Sequence, residues 1–180
     1  MATAALSVSK YLEFFRKKEV RSVLDYGAGT LRNSAFMAEA GFRVYAADLP
    51  VQVARIMKMA SARKLAGILD VDELAGGLLD VDLVLSSYVL NIIPDGTAKS
   101  RYLKNIVLNL RPDGYLLVEV RCRETSSDCS SSCEHGKRCP NCIKTYSHLE
   151  LDQLVESQGF RRVSHYYRRH SVAVLYQRFS

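Results

Sequence analysis

Ser22 to Pro50 reads S-V-L-D-Y-G-A-G-T-L-R-N-S-A-F-M-A-E-A-G-F-R-V-Y-A-A-D-L-P, and its order of residue types decides the fold. Ser22 to Asp25 is a short apolar run ending in a carboxylate. Gly27 and Gly29 follow where a chain leaving a parallel strand must turn tightly. Leu31 to Ala40 has helical content, and Gly41 stands where a helix C-terminus favours positive φ. Phe42 to Ala47 reads as the next strand, with Asp48 at its end. Such a βαβ unit brings both strand ends to one edge of a sheet. There the glycines let a ligand approach the backbone, and Asp48 can accept hydrogen bonds from a ribose.

A dinucleotide fingerprint needs a third glycine where this chain has Arg32, whose side chain would meet a pyrophosphate at the helix start. Asp25 would repel phosphates and would suit an ammonium group. D-x-G-x-G followed by an acid at the end of the next strand resembles the first two motifs of the class I S-adenosylmethionine-dependent methyltransferases. That ligand carries an ammonium and a ribose and no phosphate. The resemblance implies an α/β fold: a Rossmann-like, doubly wound, seven-stranded sheet, mostly parallel with an antiparallel C-terminal strand.

The rest of the chain agrees with that ordering. Ser9 to Lys18 reads as a short helix with Tyr11, Leu12, Phe14 and Phe15 on an apolar side. Pro50 suits a helix's first turn, and Val53, Ile56, Met57 and Ala60 recur at helical spacing, so the methionines there read as core. Ala66 to Leu69 is a third strand ending at Asp70. Val81 to Ser86 is apolar throughout, as a central parallel strand should be. Ala98 to Leu110 is amphipathic, with Tyr102, Leu103, Ile106, Val107 and Leu110 on one face. Arg111-Pro112-Asp113-Gly114 breaks it before a fifth strand, Tyr115 to Val120. L-R-P-D-G-Y-L-L-V-E-V resembles the family's L-x-P-G-G-x-L stretch, with Asp113 in place of a frequent glycine. Ser147 and Glu150 form a capping-box pattern, and Gly159 ends that helix. Phe160 to Tyr167 and Ser171 to Arg178 read as a closing hairpin, which a dehydrogenase-type sheet would not need.

The resemblance implies site residues. Asp25 would assist the methionine end of the cofactor. Tyr26, Gly27, Ala28 and Gly29 would supply backbone contacts, and Asp48 with Leu49 would hold the ribose. Asp70 and Val71 fall where an acid often meets the adenine amino group; Asp72 competes for that role, and a plain turn aspartate is the other reading. Ser86 ends the fourth strand, and Ser87 opens the segment that leaves it beneath the methyl donor. Tyr88 and Asn91, in Y-V-L-N-I-I-P, stand beside the reacting methyl as candidate catalytic residues; packing and helix capping are their structural readings. The segment lacks the N-P-P-Y or D-P-P-Y signature of amino-methylating DNA enzymes.

Between the fifth strand and the last helix lies a cysteine-rich insertion at about 121–146. Cys129, Cys133, Cys139 and Cys142 are spaced C-x3-C-x5-C-x2-C. Close cysteine pairs can supply a tetrahedral zinc site, and His135 could replace one ligand; free thiols in a serine-rich loop and a disulfide are the other readings. The insertion and the Arg168-Arg169-His170 turn both fall beyond the carboxyl ends of strands. With Arg121, Arg123, Lys137 and Arg138 they suggest a basic rim around an acceptor pocket, hence an anionic acceptor; solvated edge charges are the plain alternative.

The chain has 180 residues, suiting one domain, 1–180, that buries a core without staples. Hydrophobic content of 48% and charged content of 24% exclude a disordered chain. No run could span a membrane, and the N-terminus lacks a secretory pattern, so a cytoplasmic location is expected. The net charge of +6 permits nucleic acid or a small anion as partner, or a basic soluble surface alone. The expectation is a methyltransferase using S-adenosylmethionine on a small molecule. The alternatives are a nucleic-acid-modifying enzyme and an inactive cofactor-binding module.

Overall fold

The computed structural model describes residues 3–122, 144–168 and 170–179. The elements run α1 (Leu6–Lys17), β1 (Ser22–Tyr26), α2 (Arg32–Glu39), β2 (Arg43–Asp48), α3 (Pro50–Ile56), β3 (Gly67–Asp70), α4 (Val71–Gly76), β4 (Val81–Ser87), α5 (Gly96–Asn109), β5 (Leu110–Arg121), α6 (His148–Val155), β6 (Phe160–Arg168) and β7 (Ser171–Arg178). The described strands form one seven-stranded sheet in the order β3-β2-β1-β4-β5-β7-β6. β7 pairs antiparallel with both neighbours and the other pairings are parallel. The Rossmann-like, doubly wound expectation is therefore met.

Strand alternation sorts the side chains into two apolar layers. Leu24, Val84, Leu116 and Val118 face Leu74 of α4, Tyr102, Leu103 and Ile106 of α5, and Leu151 and Val155 of α6. Val23, Val44, Leu83, Leu85 and Leu117 face Val8 and Phe15 of α1 and Met37 of α2. A small third group joins Ala28, Leu31, Ala46 and Ile56. Fully burying a side chain such as Phe15, Met37 or Ile56 contributes about 2 kcal/mol each, so helices line both faces. The order reverses between β1 and β4, and a crevice opens there beyond the strands' carboxyl ends.

Four details depart from the sequence reading. First, α1 begins at Leu6 rather than Ser9, because Ser7 and Val8 are buried against the sheet. Second, Met57 does not fill the core: α3 ends at Ile56 and Met57 is 69% exposed. Third, a short helix, α4, follows Asp70, which caps it in a capping box with Glu73. Fourth, Arg111–Gly114 does not separate helix from strand, since β5 starts at Leu110. Those residues instead bulge out of the β4 pairing, which jumps from Val81↔Leu110 to Leu83↔Tyr115. Asp113 takes φ 60° there, and Arg111 returns to pair with Asp82 at 2.7 Å.

Candidate active site

The crevice holds a cavity of about 630 Å³. β1 delivers Tyr26, Gly27 and Gly29 to its wall, β2 delivers Asp48 and Leu49, and Val71 and Asp72 begin α4. Ser87 ends β4, Tyr88, Ile92 and Pro94 follow it, and Arg101, Tyr102 and Asn105 project from α5. Gly27 has φ +87°, and a Cβ on it would lie 2.3 Å from Cγ2 of Val89. Only glycine lets the loop turn here while Val89 closes over it.

Asp48 is held as an acceptor. Its Oδ2 accepts from the Gly29 amide at 2.8 Å and its Oδ1 from the Leu49 amide at 2.8 Å. A carboxylate has about four lone-pair sites, so each oxygen keeps one for a ligand hydroxyl. Gln52 donates to the Gly29 carbonyl at 2.6 Å and fixes the far side of the loop. Across the cavity, the Tyr26 and Tyr102 rings stack at 4.2 Å. The Tyr102 hydroxyl lies within hydrogen-bond reach of the Tyr26 carbonyl, at 3.1 Å, and of Ser86 Oγ, at 2.9 Å. Burial pushes the Tyr102 hydroxyl well above its ordinary pKa, so it stays protonated and serves as a donor.

A second cavity of about 610 Å³ adjoins the first, and Tyr88 lines both. Thr3–Leu6, Arg32, Glu119, Arg121, Tyr166, Arg168, His170 and Ser171 complete its lining. Tyr88 sits at φ 61°, a conformation rare for a bulky residue. It is fixed there by β5: its amide donates to the Glu119 carbonyl at 2.7 Å and its hydroxyl to Glu119 Oε1 at 2.8 Å. Burial first, then the Glu119 carboxylate, raise its hydroxyl's pKa. Asn33 ties the walls together, accepting from the Ala5 amide at 2.8 Å and donating to Ser87 Oγ at 3.1 Å.

The structure thus brings Tyr26, Gly27, Gly29, Asp48, Leu49, Val71, Ser87 and Tyr88 to the first cavity. Five residues singled out from sequence do not line either cavity. Asp25 is buried under the glycine loop, where its Oδ2 accepts from the Ser34 hydroxyl at 2.5 Å. Ala28 packs against Leu31, Ala46 and Ile56. Asp70 spends its carboxylate on the Asp72 and Glu73 amides, each at 2.9 Å, and Asp72 faces the cavity instead. Ser86 is fully buried beneath Tyr102. Asn91 clamps the ends of two segments: its amide donates to the Lys144 carbonyl and accepts from the Arg121 amide.

Gln52, Asn33, Arg101, Tyr102, Asn105 and Glu119 were not singled out as site residues. Tyr102 and Asn105 carried a signal, since both belong to the helix that packs on the crevice. Glu119 had none, being one acid within an apolar strand. Cys129, Cys133, Cys139 and Cys142, with His135, Arg123, Lys137, Arg138 and Arg169, lie outside the described residues. Among the described residues no group of three or more His, Cys, Asp or Glu could hold a metal ion, and no helix is long and apolar enough to cross a membrane.

Comparison with known proteins matches residues 3–176 to the methyltransferase-domain family. Among solved structures the chain is similar to the Burkholderia thailandensis 1,6-didemethyltoxoflavin-N1-methyltransferase with bound 1,6-didemethyltoxoflavin and S-adenosylhomocysteine. That pair has a TM-score of 0.70 at 21% identity, over 97% of this chain and 79% of that one. A SAM-dependent methyltransferase from Aquifex aeolicus gives 0.70 at 19% identity, over 94% and 88%. A glycopeptide N-methyltransferase complexed with sinefungin gives 0.69 at 16% identity, over 98% and 95%. Among curated protein sequences nothing matches.

Proposed function

Because the chain belongs to the class I S-adenosylmethionine-dependent methyltransferase family, matched over residues 3–176, we propose that it methylates a small anionic molecule seated in the second cavity. The observation that carries this reading is the shared wall: Tyr88 borders both the glycine-and-Asp48 cavity and the basic one.

The first cavity fits S-adenosylmethionine by its chemistry. Asp48 offers fixed acceptors to a pair of ribose hydroxyls, and Asp72 stands further along the same wall. The charged residues lining it are Asp48, Asp72 and Arg101, a set that disfavours the two phosphates of a dinucleotide. Leu49, Val71, Ile92 and Pro94 add apolar walls for a purine. The sulfonium supplies an activated methyl group when bound. The chain's residues contribute alignment and exclusion of water.

The second cavity supplies the acceptor chemistry. Three arginines and a histidine surround it against one carboxylate, and its volume is that of a small-molecule site. Among the solved structures of similar fold, one holds 1,6-didemethyltoxoflavin beside S-adenosylhomocysteine and another is a glycopeptide N-methyltransferase. The test is a methylation assay over small carboxylates and phosphate esters, reading S-adenosylhomocysteine release. Turnover that falls at least tenfold in Arg121→Glu/Arg168→Glu, with unchanged S-adenosylhomocysteine affinity, supports the reading. Turnover insensitive to that change contradicts it.

A further inference from the structure

Glu119 is a buried carboxylate, 5% exposed, lining a cavity whose other charges are positive. Its Oε1 accepts from Tyr88 and its Oε2 from Ser7, both hydroxyls. Among the described residues no cation lies in ion-pair contact with it. A buried carboxylate normally pairs with a cation or surrenders its charge. Two hydroxyl donors leave about two of its four lone-pair sites unspent. The Tyr166 hydroxyl, in the same lining, has no hydrogen-bond partner among the described residues. The unspent acceptors of Glu119 are those of a group awaiting a ligand.

Resting on the reading of the two cavities above, we propose that the acceptor is a zwitterion whose amine is the methylated group. The amine enters as an ammonium against Glu119, and a carboxylate or phosphate at its other end sits among Arg121 and Arg168. Glu119 is the catalytic base. It takes the proton from the ammonium, whose charge Arg32, Arg121 and Arg168 in the same lining disfavour. The freed nitrogen lone pair then forms the bond to the methyl carbon. The carbon–sulfur bond breaks with its electron pair left on sulfur. Tyr88 and Ser7 hold the carboxylate in place from its two edges and take no proton themselves.

The probes are 4-(aminomethyl)benzoate and 4-methylbenzoate, which share a carboxylate and differ by an ammonium. They are titrated calorimetrically into protein saturated with S-adenosylhomocysteine. The wild-type protein binds the first at least tenfold more tightly, a comparison that needs no substitution. Glu119→Gln abolishes that preference and leaves affinity for 4-methylbenzoate unchanged. Methyl transfer to the aminomethyl probe falls at least tenfold in kcat in Glu119→Gln, with S-adenosylhomocysteine affinity unchanged. Equal binding of the two probes, binding of neither, or a preference that survives Glu119→Gln overturns the proposal. S-adenosylhomocysteine affinity on the same samples separates the cases. If it is lost, the methyltransferase reading fails; if it is kept without the ammonium preference, only this assignment fails.

Discussion

Tyr88 and Glu119 are joined twice, through the Tyr88 amide to the Glu119 carbonyl at 2.7 Å and through the Tyr88 hydroxyl to Glu119 Oε1 at 2.8 Å. The double tie links the ends of β4 and β5 and holds Tyr88 at φ 61° between the two cavities. Tyr88→Phe leaves a buried oxygen without its donor and should cost about 1–2 kcal/mol of stability. Because the ring wall remains, affinity for S-adenosylhomocysteine should stay at the wild-type value. Chemical denaturation and calorimetry on the same sample check both halves.

Gly27 and Val89 give a steric prediction. Gly27→Ala combines a positive-φ alanine with a 2.3 Å contact to Val89 Cγ2, and should destabilise the fold by about 3 kcal/mol. Val89→Ala in the same chain removes the contact and leaves the φ cost of about 1 kcal/mol. The melting temperature should therefore fall sharply in the single variant and partly recover in the double one.

Asp25 gives a pH prediction. Burial pushes its carboxyl from the ordinary 3.8 up to about 6, against the Ser34 hydrogen bonds that oppose the rise. Between about pH 4 and 6 the folded chain keeps a proton that the unfolded chain has released. Its contribution to stability is therefore greatest below pH 4, falls across that window and levels above about 6. The size is of order 3 kcal/mol. Asp25→Asn removes the titration, so its stability relative to wild type should rise by that order from pH 4 to pH 7. A difference constant with pH would contradict the assignment.

Asn91 gives a test of scaffold against chemistry. Its side chain bridges the Arg121 amide, at 3.0 Å, and the Lys144 carbonyl. Asn91→Ala strands both part-buried groups and should lower stability by about 1–2 kcal/mol. It should leave S-adenosylhomocysteine affinity intact, since Asn91 lines neither cavity. A selective loss of affinity at unchanged stability would return it to the site.

Most of the fold was legible because it is written in local patterns. The D-x-G-x-G turn, Asp48 at a strand end, and the Ser147–Glu150 capping box are short-range signals, and the box appears as read. The closing hairpin follows from two strand-like runs with a short reversal between them. What stayed hidden depends on contacts distant in sequence. Glu119 meets Ser7 across 112 residues and Asn33 meets Ser87 across 54. No spacing rule announces either. Asp25 and Asp70 carried motif-level expectations, but a carboxylate can equally tie a helix start or cap one. Only the packed structure shows that Asp25 bonds Ser34 and Asp70 caps α4.

The most direct measurement is calorimetric titration of the protein with S-adenosylhomocysteine, beside NADH and beside Asp48→Asn. Asparagine keeps the shape of Asp48 and removes the charged acceptor that both backbone amides orient. The expected result is stoichiometric micromolar binding of S-adenosylhomocysteine, a loss of about tenfold or more in Asp48→Asn, and no binding of NADH. Absence of S-adenosylhomocysteine binding by the folded protein, or affinity indifferent to Asp48, would contradict the account.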